Sequence, residues 1–269
     1  MPTLTRSLLR HEFKLTLALL VTALLALGLG LMGSVRPGLQ AVWPAAAAGV
    51  ALLLLKTWCR WQRERQLREL PVPQFLKRKL RETYPHLSGK DCDLVERGLR
   101  QFFIACLRSR KQFVAMPSRV VDLMWHEFIL HTQAYQQWCE LTLGWFLHHT
   151  PAEALGARAK NNDGLRRAWY WACRDEAIQP KAPSRLPLLF ALDAKLQIEN
   201  GYHYQADCHD IQRKSEAGGD AAGVYCGSSF SDGSFSGDAD GFGGADSSDA
   251  SDGGSSDSGG GDGCGGGGD

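Results

Sequence analysis

PSRVVDLMWHEFILHTQAYQQWCELTLGWFLHHTP, residues 117–151, decides how the rest of the chain is read. These 35 residues hold Trp125, Trp138 and Trp145 together with His126, His131, His148 and His149, three of eight Trp and four of eight His in about an eighth of the length. Such enrichment points to a built site. Ser118 is placed to cap a helix, Gly144 to break one, and Thr150-Pro151 with Glu153 to start another, so the His148-His149 pair sits just before a helix start.

Taken as one helix over residues 119–143, Asp122, His126, Leu130, Gln133 and Gln137 share a face, and His131 points away with Met124 and Tyr135. The two histidines of HEFILH therefore cannot chelate one ion within that helix, and the spacing is not the HExxH of zincins. Asp122 and His126 at i, i+4 are a different matter, because the carboxylate can accept a hydrogen bond from the imidazole and fix its tautomer. That arrangement serves in the outer shells of metals and in general bases. His148 or His149, folding back after Gly144, would add a further group. Three readings stay open: Asp122 and His126 satisfying each other beside core aromatics, a metal or small-ligand site with His126, His148 and His149 as candidate ligands, or catalysis through Asp122, His126 and His149.

Outward from this stretch the spacing of apolar residues remains helical from about residue 74 to 216, with no strict alternation, so an all-α domain is expected. Ser88 and Asp91 form a capping-box pattern ahead of DLVERGLRQFFIACLRSR, whose core face is Leu94, Leu99, Phe102, Phe103 and Cys106. GLRRAWYWACRDEAI and LPLLFALDAKLQI supply later helices. Tyr202, His203, Tyr204, Cys208 and His209 are weaker candidate ligands than packing residues. Eight Cys, at 59, 92, 106, 139, 173, 208, 226 and 264 with no CxxC pair, read as reduced thiols, and Cys139 and Cys173 as small buried hydrophobes.

The N-terminal end reads differently. Residues 15–35 carry no charge, and neither do residues 37–55, which suggests a two-helix transmembrane hairpin with spans of about 15–33 and 38–55. Eight basic residues flank the outer ends of the hairpin and only Arg36 lies between the spans. On the positive-inside rule this predicts an integral, multi-pass protein with both termini, including residues 1–14, in the cytoplasm, as in a bacterial inner membrane. A basic juxtamembrane helix, residues 56–73, follows and ends at Pro71, and anionic lipid is its expected partner. A protein or small-ligand partner is expected for the domain, and no nucleic acid.

Residues 217–269 hold nineteen of thirty Gly with Ser and Asp, which predicts a disordered tail with isolated aromatics at Tyr225, Phe230, Phe235 and Phe242. This tail has ten Asp and no Lys or Arg, so without it the chain has 30 basic against 19 acidic residues, an excess of +11. Opposite charges on one chain attract.

The string VVDLMWHEFILHTQAY, then CELTLGWFLHH, then LPLLFALDAKLQIENGYHY resembles the glycine-rich domain-containing protein-like family. The shared pattern is D-x-x-W-H, a Tyr nine residues past the His, and G-x-x-L-H-H, across about residues 80–204. It picks out Asp122, Trp125, His126, Tyr135, Gly144, His148 and His149, of which Asp122, Trp125, His126, Tyr135, His148 and His149 are taken as ligand-binding. The tail departs from the pattern, being rich in Asp and Ser with only Cys226 and Cys264. The resemblance implies a helical domain without an assigned activity. On these grounds the expected function is a membrane-anchored binding or assembly module, and the alternative is a membrane-bound hydrolytic enzyme dependent on His or on a divalent metal.

Overall fold

In the computed structural model, residues 14–18, 20–22, 24–25, 42–150, 163–206 and 224–230 are described. The helices follow the order α1 (Val42–Glu69), α2 (Gln74–Thr83), α3 (Gly89–Arg108), α4 (Arg119–Leu130), α5 (Thr132–Thr142), α6 (Asp163–Asp175) and α7 (Leu188–Lys195). The expected all-α class holds. A short parallel pair, β1 (His203–Gln205) with β2 (Val224–Cys226), is added at the end.

Helix α3 is the centre. Its start is the capping box read from the sequence, with Ser88 Oγ accepting from the Asp91 amide and Asp91 accepting from the Ser88 amide. Leu99, Phe102, Phe103 and Cys106 are buried along its length, and α1, α2, α4, α6 and α7 pack around it. Gly98 allows the closest of these approaches, because a Cβ there would lie 2.4 Å from Leu192 Cδ1 of α7 and 3.1 Å from Val121 Cγ2 of α4.

The transmembrane hairpin does not stand. No helix among the described residues is long and apolar enough to cross a membrane, which overturns the integral, multi-pass inner-membrane placement with both termini cytoplasmic. About half of the first expected span lies outside the described residues, and the described part of it is helical. The second is the front of α1, whose uncharged part, residues 42–55, rises about 21 Å against the ~30 Å of a bilayer core. The rest of α1 belongs to the domain: Cys59, Arg63, Gln66 and Leu67, one face at helical spacing, are 0%, 6%, 6% and 0% exposed. Charges counted as membrane flanks are engaged here as well. Arg68 pairs with Glu64 at 2.9 Å and Asp175 at 2.5 Å, and Arg108 with Glu64 at 2.5 Å.

The single helix expected over residues 119–143 is two. It breaks at His131 (φ −91°, ψ 63°), which ends α4 and begins α5. Phe230, expected among the solvated aromatics of the tail, is 4% exposed and packs on Trp169, Phe190 and Tyr204 at ring distances of 5.4, 5.9 and 6.3 Å. The tail, expected to be disordered from residue 217, is ordered at 224–230, in β2 and a 3-10 turn (Gly227–Phe230); the helix expected from Pro151 and tail residues 217–223 and 231–269 lie outside the described residues.

Candidate metal centre

Helix α4 is fixed at its N-terminus from two directions. Ser118 Oγ accepts from the Val121 amide at 3.4 Å, and the buried carboxylate of Asp193 in α7 accepts from Ser118 Oγ (2.7 Å) and from the amides of Arg119 (2.7 Å), Val120 (3.1 Å) and Tyr202 (2.9 Å). A carboxylate at a helix start satisfies orphan amides and sits at the favourable end of the macrodipole. Asp193 thus sets where α4 begins, and Asp122 and His126 one turn apart take their positions from it.

The chain returns to α4 through a bracket of hydrogen bonds. Trp125 Nε1 donates to Tyr135 Oη at 3.0 Å, and Tyr135 Oη donates to the Leu147 carbonyl at 2.7 Å. Tyr135 is fully buried, and that burial pushes its hydroxyl far above the ordinary tyrosine range, so it acts as a neutral link between Trp125 and the Leu147 carbonyl. The turn before Leu147 depends on Gly144. Its φ is +86°, and a Cβ would lie 2.0 Å from Nη1 of the buried Arg63.

This bracket delivers His149. Its ring lies 4.9 Å from that of Trp125 and 4.3 Å from that of His126, with Nε2 3.5 Å from Asp122 Oδ1. His126 Nδ1 stands 2.9 Å from the Asp122 backbone carbonyl and 3.3 Å from Asp122 Oδ2. The expected i, i+4 link is therefore made first by the backbone of Asp122 and second by its carboxylate. Either acceptor places the proton on Nδ1 and leaves the lone pair on Nε2, the tautomer that outer-shell carbonyls impose on metal-binding imidazoles. One ligand atom from each of Asp122, His126 and His149 fits within 4.8 Å of the others, and all three residues are half-buried. Ligands about 2.0–2.2 Å from a tetrahedral zinc ion lie roughly 3.3–3.6 Å apart. Asp122 Oδ1 is sealed from solvent and has no hydrogen-bond partner among the described residues.

The other sequence candidates lie outside this cluster. His148 stacks on Phe146 at 4.7 Å, and His131 on Phe75 at 3.9 Å with Nδ1 tied to the Glu127 carbonyl. His203 is exposed in β1, while Cys208 and His209 lie outside the described residues. Cys139 and Cys173 are buried as expected, and burial pushes both thiols up, Cys173 to about 12.

A cleft of about 460 Å³ adjoins the cluster, with Trp125 and His149 in its wall. Phe102, Val114, Met116 and Trp145 make it largely apolar, and Lys111 stands 5.9 Å over the Trp145 ring. Two residues that build the site were missed from the sequence. Asp193 was legible as the one acidic residue in the apolar run LPLLFALDA, and Arg63 carried no such signal, being one of many basic residues around it.

Comparison with curated proteins and with solved structures returns no match. One family model does match, that of the UCP032817-like family, over residues 62–230, a stretch that opens inside α1, contains the whole Asp122/His126/His149 cluster and ends on the packed Phe230. Since this covers more than half of the 269 residues, the chain belongs to the UCP032817-like family.

Proposed function

We propose that the domain is a divalent-metal module in which Asp122, His126 and His149 hold a zinc-class ion. The observation that carries this reading is the convergence of three ligand atoms within 4.8 Å around a carboxylate oxygen that is sealed from solvent and makes no hydrogen bond among the described residues. Two imidazoles and one carboxylate form a donor set that leaves coordination positions open, which suits Lewis-acid chemistry better than a closed structural site. An ion held there would polarise a carbonyl or phosphoryl oxygen, or supply hydroxide near neutral pH, for a ligand seated in the apolar cleft that shares His149. Hydrolysis is the simplest reaction for such a centre. Of the residues picked out by the resemblance to glycine-rich domain-containing proteins, Asp122, Trp125, His126, Tyr135 and His149 converge and Gly144 makes the turn that brings His149 in, while His148 turns away to Phe146.

Metal titration of the purified chain tests the proposal, with cobalt(II) as a visible reporter of a low-coordinate site and elemental analysis for stoichiometry. One ion per chain is expected. Asp122→Asn, His126→Ala and His149→Ala should each weaken binding by more than the ~10–100-fold typical of outer-shell changes. His131→Ala should bind as the parent does, since His131 stacks on Phe75 away from the cluster. Equal, weak binding by all five proteins would refute the metal reading. It would leave the cluster as a metal-free pairing within a binding or assembly module.

A further inference from the structure

A second cleft, of about 520 Å³, lies between α3, the end of α6 and α7, apart from the metal centre. Its wall carries five cations, Arg68, Arg97, Arg100, Arg185 and Lys195, against the two carboxylates Asp175 and Glu176. Both carboxylates are already engaged. Asp175 is held by Arg68 at 2.5 Å and Arg108 at 3.8 Å, and Glu176 by Arg185, by the Leu188 amide at 2.6 Å and by Gln101 Nε2 at 3.0 Å. Arg100 is tied to Glu96 at 2.5 Å and to the Leu67 carbonyl at 2.6 Å. Arg97 and Lys195 have no ion-pair partner among the described residues, so the cleft keeps uncompensated positive charge at these two positions.

The same chain supplies the opposite charge beside it. Phe230 is anchored on Phe190, and the next residue of α7, Ala191, lines the cleft together with Leu188 and Lys195 at helical spacing. Phe230, the last described residue, thus packs on α7 beside the part of that helix that lines the cleft, and a helix with its side chains is about 10 Å wide. After Phe230 the chain carries nine Asp and no Lys, Arg or Glu. Asp238, eight residues past the anchor, can extend up to ~26 Å at ~3.3 Å per residue, so Asp238 and Asp240 are within range of Arg97 and Lys195 without displacing the anchor.

We propose that this cleft is a polycarboxylate site and that its occupant is the chain's own Asp-rich segment, residues 231–269. The contact is electrostatic and exchangeable, because exposed pairs are weak singly and salt screens them. An external polyanion that enters the cleft does so in competition with this segment. The inference does not depend on the metal centre.

Lys195 makes the contact readable in the full-length protein. A water-soluble carbodiimide joins a carboxylate to an amine that touches it, and no trypsin site follows Lys214, so residues 215–269 remain one peptide. In the cross-linked monomer, the adduct of that peptide with Lys195 should exceed the adduct with Lys79, an exposed lysine on α2. It should fall by about fivefold in ~0.5 M salt, where screening shortens to a few ångström. Arg97→Glu should lower it by a similar factor at low salt. A Lys195 adduct no more abundant than the Lys79 adduct, or one indifferent to salt, overturns the proposal. Adducts confined to cross-linked dimers also overturn it, by assigning the segment to a second copy.

Discussion

Replacing Asp193 by Ala tests the claim that α7 sets the start of the site helix. The side chain is 2% exposed, and four donors converge on it: the Ser118 hydroxyl and the amides of Arg119, Val120 and Tyr202. Ser118 Oγ can turn to another acceptor, but the three amides cannot. Each buried donor left without a partner costs about 1–3 kcal/mol, and loss of a helix cap about 1 kcal/mol. Allowing for partial rescue by water at the half-buried Arg119 and Tyr202 amides, the loss should be about 3–5 kcal/mol. In a domain of this size that corresponds to a Tm lower by roughly 10 °C, read by circular dichroism with a urea titration in parallel. Asp193→Asn keeps the shape but turns an NH2 group toward amide donors, so about half the effect is expected. A Tm shift under about 3 °C for Asp193→Ala would refute the clamp, since one ordinary surface hydrogen bond would explain it.

Gly144→Ala should destabilise by about 2–4 kcal/mol, combining ~1–2 kcal/mol for a left-handed backbone with displacement of the buried Arg63 guanidinium, and should weaken metal binding through His149. Tm and cobalt titration check both, and unchanged values in each would remove Gly144 from the design of the turn. Acid sensitivity follows from Glu64 and Glu96. Burial raises both pKa values, but hydrogen bonds and charge from Arg108 and Arg68 for Glu64, and from Lys77 and Arg100 for Glu96, outweigh it and hold them below 4.5. A depressed carboxylate gives stability that is complete above its unfolded pKa and is lost as pH falls through the folded one. Tm should therefore be level down to about pH 5 and fall below about 4.5, less steeply in Glu96→Gln; an equally steep fall in that variant would contradict the assignment. Cys173, buried and with its thiol pushed up to about 12, should resist alkylation at pH 8 until the domain unfolds, and rapid labelling of the native protein would contradict its packing.

Local rules carried well from sequence to structure, and contacts across long separations did not. The Ser88 capping box, the Ser118 cap, the break at Gly144 and the core face of α3, buried at Leu99, Phe102, Phe103 and Cys106 and partly buried at Leu94, are determined by neighbours within a few residues, and each is found. The separation of His131 from His126 was argued from one continuous helix, and the structure separates them differently: the helix breaks at His131, which turns to Phe75. Which of the two adjacent histidines joins Asp122 was not legible. It depends on the Tyr135 bond to the Leu147 carbonyl, which gives residues 147–149 a defined orientation that residue spacing cannot supply. The membrane reading failed for a related reason. An uncharged run next to a basic run looks the same whether the following helix enters solvent or turns Cys59, Arg63 and Leu67 into a core, and only partners far along the chain distinguish the two.

Because α1 is continuous from Val42 to Glu69, the N-terminal edge of the folding unit falls in the middle of a helix. A fragment beginning at the first matched residue, Gln62, would lose the buried Cys59 and would leave Arg63 in a first turn whose amides have no carbonyls behind them. That frayed turn is the one that backs Gly144, so His149 would lose part of its support from a cut nearly ninety residues earlier in the chain. Limited proteolysis should accordingly stop ahead of Lys56, and the smallest fragment that keeps its native Tm should include at least one full turn before Cys59.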